Sequence, residues 1–403
     1  MKAFLAIPVI LLLISSPKFE APSNGRVSSA VERIEMPDQG HAGAPTLLHD
    51  AAGRLVAAWI ERHNGEARLV MAKRSLNGWD APVVLASGTN WFVNWADVPS
   101  VVFHPDGGAM AYWLERLGEG RYSYGVRYIT SADGSAWSDP AWLHEDRSPS
   151  EHGFVTAVPY EDGFMAVWLD GNGYATERRE MSVHAREIAT DGTLREEKSI
   201  DARTCDCCPT ELIDLGDGRL ATIYRDRSDE EIRDMSVSVF NGTEWSSPTS
   251  LHDDNWNINA CPVNGPSADI AGDLVAASWF TMATGSPEVF AGFLDGQTLS
   301  ASDPVRVDLG RPAGRVALRM ASSDEALVMW MEGGDPEIAG LYVRTLGADG
   351  HMGNPVKLAE TSTGRAVGYP RLARDGVDWL AVWTEPAPDD GEQARLRGVR
   401  FTL

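Results

Sequence analysis

Apolar residues along this chain gather in short runs broken by tight turns, and one arrangement recurs: an apolar strand, a turn, then a second strand ending in an aromatic residue. The second strands read Leu55-Val56-Ala57-Ala58-Trp59, Ala109-Met110-Ala111-Tyr112-Trp113, Phe164-Met165-Ala166-Val167-Trp168, Leu220-Ala221-Thr222-Ile223-Tyr224 and Leu274-Val275-Ala276-Ala277-Ser278-Trp279. Two further copies end at Trp330 and Trp383. By subtraction the aromatic marks lie 54, 55, 56, 55, 51 and 53 residues apart, close to the roughly 40–50 residues of a four-stranded propeller blade. Seven marks predict an all-β, seven-bladed β-propeller.

The turns agree with the strands. The first hairpin of successive repeats carries Asp50-Ala51-Ala52-Gly53, Asp106-Gly107, Asp162-Gly163, Asp217-Gly218, Gly272-Asp273 and Asp375-Gly376. A later hairpin carries Asn77-Gly78, Asp133-Gly134, Asp191-Gly192, Asn241-Gly242, Asp295-Gly296 and Asp349-Gly350. Such pairs tolerate the positive φ of tight hairpins. Trp79, Trp137 and Trp245 follow three of these turns and are expected to pack between blades. The seventh repeat stops one strand short at Phe401-Thr402-Leu403, whereas Ser29–Met36 is strand-like and precedes the first repeat. That segment is expected to supply the outer strand of the last blade, closing the ring and removing a free sheet edge.

Composition narrows the setting. The net charge is −23, which argues against nucleic acid or an anionic membrane surface as partner. Lys2 followed by the apolar run Ala3–Ile14 reads as a secretory signal, too short to span a bilayer comfortably. Residues 1–24 are therefore assigned to a signal peptide and leader, and 25–403 to a single propeller domain. The expected location is periplasmic or secreted, with no membrane span, and the chain is expected to act as a monomer.

Ser131-Ala132-Asp133-Gly134-Ser135-Ala136-Trp137, between the third and fourth strands of a repeat, resembles the Asp-box turn of sialidases and other BNR-repeat propellers, one residue shorter than the family pattern. Asn241-Gly242-Thr243-Glu244-Trp245 is a weaker echo. The resemblance implies a propeller binding or hydrolysing a carbohydrate or similar polar ligand at its channel mouth; the competing class is a non-enzymatic metal-binding or protein-binding scaffold. The resemblance also offers a six-bladed ring as the alternative architecture, since sialidases usually have six blades.

Residues just before each inner strand should form the rim of that mouth: His41, Trp95 with Asp97, His152, the Cys205–Cys208 run, Cys261 with Asn264, Arg315, and Tyr369 with Arg371. Acids two residues past the aromatic marks (Glu61, Glu115, Asp170, Asp226, Glu332 and Glu385, with Thr281 the exception) reach the same face. They either belong to a site or satisfy loop amides and neighbouring arginines. Sialidase chemistry needs an arginine cluster for a substrate carboxylate, a tyrosine nucleophile with an activating carboxylate, and a separate acid/base. On that resemblance Asp97 would be the acid/base, Glu211 the activating carboxylate, Arg225 and Arg315 the clamps, and Tyr369 the nucleophile. Arg371 would stand in for a family arginine whose Phe/Tyr-Arg-Ile-Pro segment this chain lacks.

The four cysteines sit at equivalent offsets in adjacent repeats: Cys208 lies 16 residues before Tyr224 and Cys261 lies 18 before Trp279, by subtraction. This places Cys261 beside the run Cys205-Asp206-Cys207-Cys208. Three readings stay open. In an exported protein, disulfides are the first. A soft-metal site for copper or zinc through Cys205, Cys207, Cys208 and Cys261, completed by His252 or Asp206, is the second. A reactive thiol with a base such as His152 is the third. No other scheme finds support: there is no Gly-x-Ser-x-Gly elbow, His-Glu-x-x-His pair or phosphate-binding glycine loop.

Overall fold

The computed structural model describes residues 31–175, 179–334, 337–387 and 393–403. Seven antiparallel sheets follow one another around a central axis. Their innermost strands are Ala42–His49, Ser100–Phe103, His152–Tyr160, Glu211–Gly216, Ser267–Ala271, Pro312–Met320 and Arg371–Asp375. Seven blades replace the six-bladed alternative. In the last blade Val31–Ile34 pairs antiparallel with Arg395–Phe401, in the register Val31 to Phe401 and Ile34 to Gly398. The ring is thus closed by a strand from the other end of the chain, as expected; residues 1–30, including the assigned leader, lie outside the described residues. Among the described residues no helix is long and apolar enough to cross a membrane.

Hydrophobic burial explains why the pattern specifies this ring. Strands alternate inward and outward faces, and blades packed face to face bury both faces of their second strands. All seven aromatic marks are at most 5% exposed. The buried apolar residues fall into seven clusters, each joining two neighbouring blades. Trp79, Trp137 and Trp245 pack onto three of these clusters.

At the Asp-box turn, Asp133 Oδ1 accepts the Ser135 hydroxyl at 2.7 Å and the Ser135 and Ala136 amides at 2.8 and 3.3 Å, and these bonds, the hydroxyl first, hold its carboxyl down at about 2. Gly134 takes φ +73° and lies beside Gly107 of the first hairpin. The box is therefore on the end of the blade opposite the loops that enter the inner strands. Its work is structural.

The row of acids after the aromatic marks is also largely structural. Trp59, Trp168, Trp330 and Trp383 each donate their indole N–H to the acid two residues on: Glu61 at 2.9 Å, Asp170 at 2.9 Å, Glu332 at 2.7 Å and Glu385 at 3.3 Å. The same carboxylates accept loop amides, as Glu332 does from Leu309 and Arg311 at 3.0 and 2.6 Å. Where Thr281 interrupts the row, Asp254 from the preceding loop takes the Trp279 indole at 2.8 Å. A buried indole needs an acceptor, and the repeat supplies one nearly every time.

Candidate functional site

A channel of about 350 Å³ runs down the axis and is lined by inner-strand residues of every blade. Over its mouth opens a cavity of about 590 Å³. Its walls combine aromatic faces (Trp95, Tyr122, Phe154 and Tyr174) with Glu151, Asp206, Cys207, Cys261 and Arg365. Loops entering the inner strands of blades two to five and seven supply most of these groups, with the second-to-third-strand loops of blades two and three adding Tyr122 and Tyr174.

At the cavity's base, the Tyr124 hydroxyl lies 2.6 Å from Glu151 Oε1 and 2.8 Å from Asp97 Oδ2. Tyr124 and Asp97 are buried beneath Glu151, and Tyr124 is stacked on Phe92 with ring centres 4.0 Å apart. A phenol carries one proton. Both contacts are hydrogen bonds only if a second proton sits on one of the carboxyls, so that Tyr124 donates to one and accepts from the other. Burial is the main cause that raises both acids, Glu151 to about 8 and Asp97 to about 7, while the bond from Tyr124 opposes it. The Asp97 charge raises Glu151 further. The group therefore holds its second proton near neutrality, chiefly on Glu151, the member that faces the cavity. Gly153 makes the arrangement possible, since a Cβ there would stand 2.0 Å from Asp97 Oδ2 and 2.8 Å from the Tyr124 ring.

The residues singled out from the sequence are only partly brought together. Asp97 belongs to this group. Glu211 and Arg371 face the channel below it; burial raises Glu211 to about 7 against the opposing charges of Arg319 and Arg371, and Arg371 Nε donates to the Pro45 carbonyl at 3.2 Å. Tyr369 stacks on Trp95 and donates its hydroxyl to the Val263 carbonyl at 2.7 Å. Arg315 also lies over Trp95, at 4.9 Å, with its guanidinium on the carbonyls of Gly364 and Gly368 at 3.0 and 3.2 Å. Arg225 is buried, donating to the carbonyls of Asn264, Arg233 and Phe280 at 2.9, 2.7 and 2.7 Å. These two arginines are tied to main chain and do not converge on an open anion site. His41 borders a neighbouring groove that shares Trp95, Tyr122 and Arg365 with the cavity. His152 is buried, with Nδ1 3.0 Å from Asp170 and Nε2 3.2 Å from Ser150 Oγ.

Tyr124 and Glu151 were not singled out. Glu151 stands beside His152 in the same entering loop, so the rim logic that selected His152 would have reached it one residue earlier.

The cysteines gather as their offsets imply: the Cys205, Cys207 and Cys208 sulfurs lie within 4.8 Å of one another, and Cys261 lines the same cavity as Cys207. The expected disulfides are not formed. All four are free thiols, and the Cys205 and Cys208 sulfurs are 3.8 Å apart, against about 2.05 Å for a bond. Neither proposed completing residue is free for the cluster in a simple way. Asp206 accepts the Tyr174 hydroxyl at 2.9 Å, and His252 pairs with Asp254 at 2.7 Å.

Residues 53–332 match the family model described as BNR repeat-like domain. No curated protein matches the chain in sequence. Similar solved structures include a protein of unknown function from Dyadobacter fermentans, 11% identical with a TM-score of 0.54, covering 93% of this chain and 98% of that one. An alpha-L-arabinanase from Penicillium chrysogenum complexed with arabinobiose is 12% identical with a TM-score of 0.50, covering 92% and 98%. An ulvan lyase of polysaccharide lyase family PL25, bound to -[GlcA(1-4)Rha3S]-, is 12% identical with a TM-score of 0.54, covering 90% and 95%. At these identities the likeness is one of fold.

Proposed function

The chain belongs to the BNR repeat-like domain family, and on that footing we propose that the cavity over the channel mouth binds a carbohydrate or similar polar ligand and processes it by acid–base chemistry, with Glu151 as the proton-transferring group. The observation that carries this reading is the single phenol shared by Asp97 and Glu151 at the base of an aromatic-walled cavity. About 590 Å³ is within the range of small-ligand sites, where apolar walls and a few convergent polar groups are usual. Aromatic faces suit the C–H faces of sugar rings. Two solved structures of this fold are complexes with saccharides, arabinobiose and a uronate–rhamnose sulfate unit.

The chemistry follows from proton counting. A neutral Glu151 can protonate a departing glycosidic oxygen. Its new negative charge then competes with Asp97 for the one proton left on Tyr124, so Glu151 readily takes a proton back from water or substrate. An acid that is raised toward neutrality and regenerated by its neighbours is what general acid–base catalysis asks for. Tyr124 is fully buried under Glu151, so its part is to set that protonation state rather than to attack. With Arg225 and Arg315 engaged by main chain, recognition of a sialic acid carboxylate by those residues is the less favoured form of the reading. Export to the periplasm or medium, resting on the apolar N-terminal run, belongs to the same proposal.

The test is a panel of neutral, uronate-containing and sialylated oligosaccharides, scored for binding by calorimetry and for cleavage by product analysis. Wild type should bind and convert at least one class. Glu151→Gln should keep binding and lower turnover by about 10²–10⁴-fold. A correctly folded chain that binds none of the panel would refute the proposal.

A further inference from the structure

Two cysteines, Cys207 and Cys261, line the same cavity as Glu151. Cys205, Cys207 and Cys208 come from one tight segment between Lys198–Thr204 and Glu211–Gly216, and their sulfur atoms all lie within 4.8 Å of one another. Cys205 and Cys208 are buried, whereas Cys207 and Cys261 border the cavity. An ion bound about 2.3 Å from each of two sulfurs, at tetrahedral or trigonal angles, sets those sulfurs about 3.8–4.0 Å apart. The Cys205–Cys208 separation is 3.8 Å. That pair thus already stands at ligand spacing, and it has the two-residue interval common in thiolate sites.

The surroundings hold them there. The Cys205 amide and the Thr204 hydroxyl both donate to the Arg225 carbonyl, at 3.1 and 2.7 Å. Pro209 is wedged against Gly265, where a Cβ would come within 2.3 Å of its carbonyl oxygen. Arg233 Nη1 donates to the Cys205 sulfur at 3.3 Å while Nη2 is fixed on Glu231 at 2.8 Å. The Arg225 guanidinium is the second nearby positive charge.

We propose that Cys205, Cys207 and Cys208 form a three-thiolate site for copper(I), with Cys261 on its cavity side. Clustered thiolates select copper(I) and zinc over harder ions. Zinc closes its structural sites with four protein ligands, and the mutually close set here has three. The inference stands on the cysteine geometry and is independent of the carbohydrate reading.

The test uses the full chain, purified and handled without oxygen. Copper(I) is delivered from a chromophoric chelator, and bound copper and zinc are counted by elemental analysis beside a titration of reactive thiols. Wild type is expected to retain one copper per chain, with an ultraviolet thiolate-to-copper band. Cys208→Ser should weaken retention by more than about 100-fold, beyond what loss of an outer-sphere partner does, and Arg233→Gln by about 10–100-fold. Arg233→Gln keeps every thiol and guards against a Cys208→Ser chain that fails to fold; a thermal melt confirms folding of each. Preferential uptake of zinc with all four thiols engaged would overturn the choice of copper. A folded chain with four reactive thiols that takes up no copper, or one isolated with its cysteines paired as disulfides, would overturn the site. Saccharide binding measured on the metal-free chain keeps the two proposals separately falsifiable.

Discussion

Glu151→Gln tests the acid–phenol group through stability as well as through activity. A neutral Glu151 and a glutamine present nearly the same shape and the same oxygen to Tyr124, so the two chains should be about equally stable in mild acid. They part as pH rises. In the unfolded chain Glu151 ionises near its ordinary 4.5, and in the folded chain near 8. Between these values the folded state binds the extra proton, so the stability this proton confers is full below about 4.5 and is lost as pH climbs toward 8. At 1.36 kcal/mol per pH unit the span corresponds to at most about 5 kcal/mol. Glu151 is half-buried and borders the cavity, and it shares its proton with coupled neighbours; halving the ceiling leaves about 2 kcal/mol. Unfolding entropy of about 2.1 cal/mol/K per residue over some 400 residues converts this to about 2–3 °C in melting temperature. Scanning calorimetry of both chains between pH 4 and 8.5 should show curves that converge at the acid end, with the variant higher by that amount at the alkaline end. A difference in melting temperature that stays constant across the range would refute the shared-proton arrangement.

Three further outcomes follow from the packing. Gly153→Ala drives a methyl group into Asp97 and the Tyr124 ring, and should cost about 1–3 kcal/mol in urea denaturation together with most ligand binding. Arg225→Lys retains the charge but cannot reach three carbonyls in one plane; a loss of about 2–4 kcal/mol is expected from unpaired buried acceptors, with no change in the pH profile of turnover. Asp170→Ala strands the Trp168 indole, the His152 ring and the Asn172 amide, and should lower stability by about 3 kcal/mol or more, read as a lower urea midpoint at unchanged slope.

The architecture was legible because seven aromatic marks and their Asp/Asn-Gly turns repeat with the period of a blade, and burial enforces that period in every copy. The meeting of the four cysteines was legible for the same reason, since equal offsets in adjacent repeats become neighbours in space. The acids after Trp59, Trp168, Trp330 and Trp383 show the opposite case. Their regular spacing could mark a binding rim or an indole acceptor, and only the hydrogen bonds decide for the acceptor. Arg225 and Arg315 resemble anion clamps by residue type alone. What occupies their donors is main-chain oxygen from distant segments, which leaves no trace in local pattern. Tyr124 and Glu151 were hidden for a related reason: Tyr124 opens an ordinary third strand, and its contact with Asp97 and Glu151 depends on how the irregular loops entering two inner strands lie against it.

The pairing of Val31 with Phe401 spans 370 residues by subtraction, whereas the hairpin pair Trp59 and Val70 spans 11. Loop-closure entropy rises by about 0.6 kcal/mol for each doubling of separation, so bringing the seam strand to its partner costs about 3 kcal/mol more than forming an ordinary hairpin. Six blades can assemble from contiguous sequence as soon as each is available; the seventh cannot. A chain emerging amino-terminus first must hold Val31–Ile34 without its partner until Arg395–Phe401 arrives. The seam is therefore a latch that closes last and releases first. Its amide protons should exchange with solvent ahead of those in the hydrogen-bonded interiors of the other blades, so the ring's lifetime is set at this one joint rather than shared evenly around the circle.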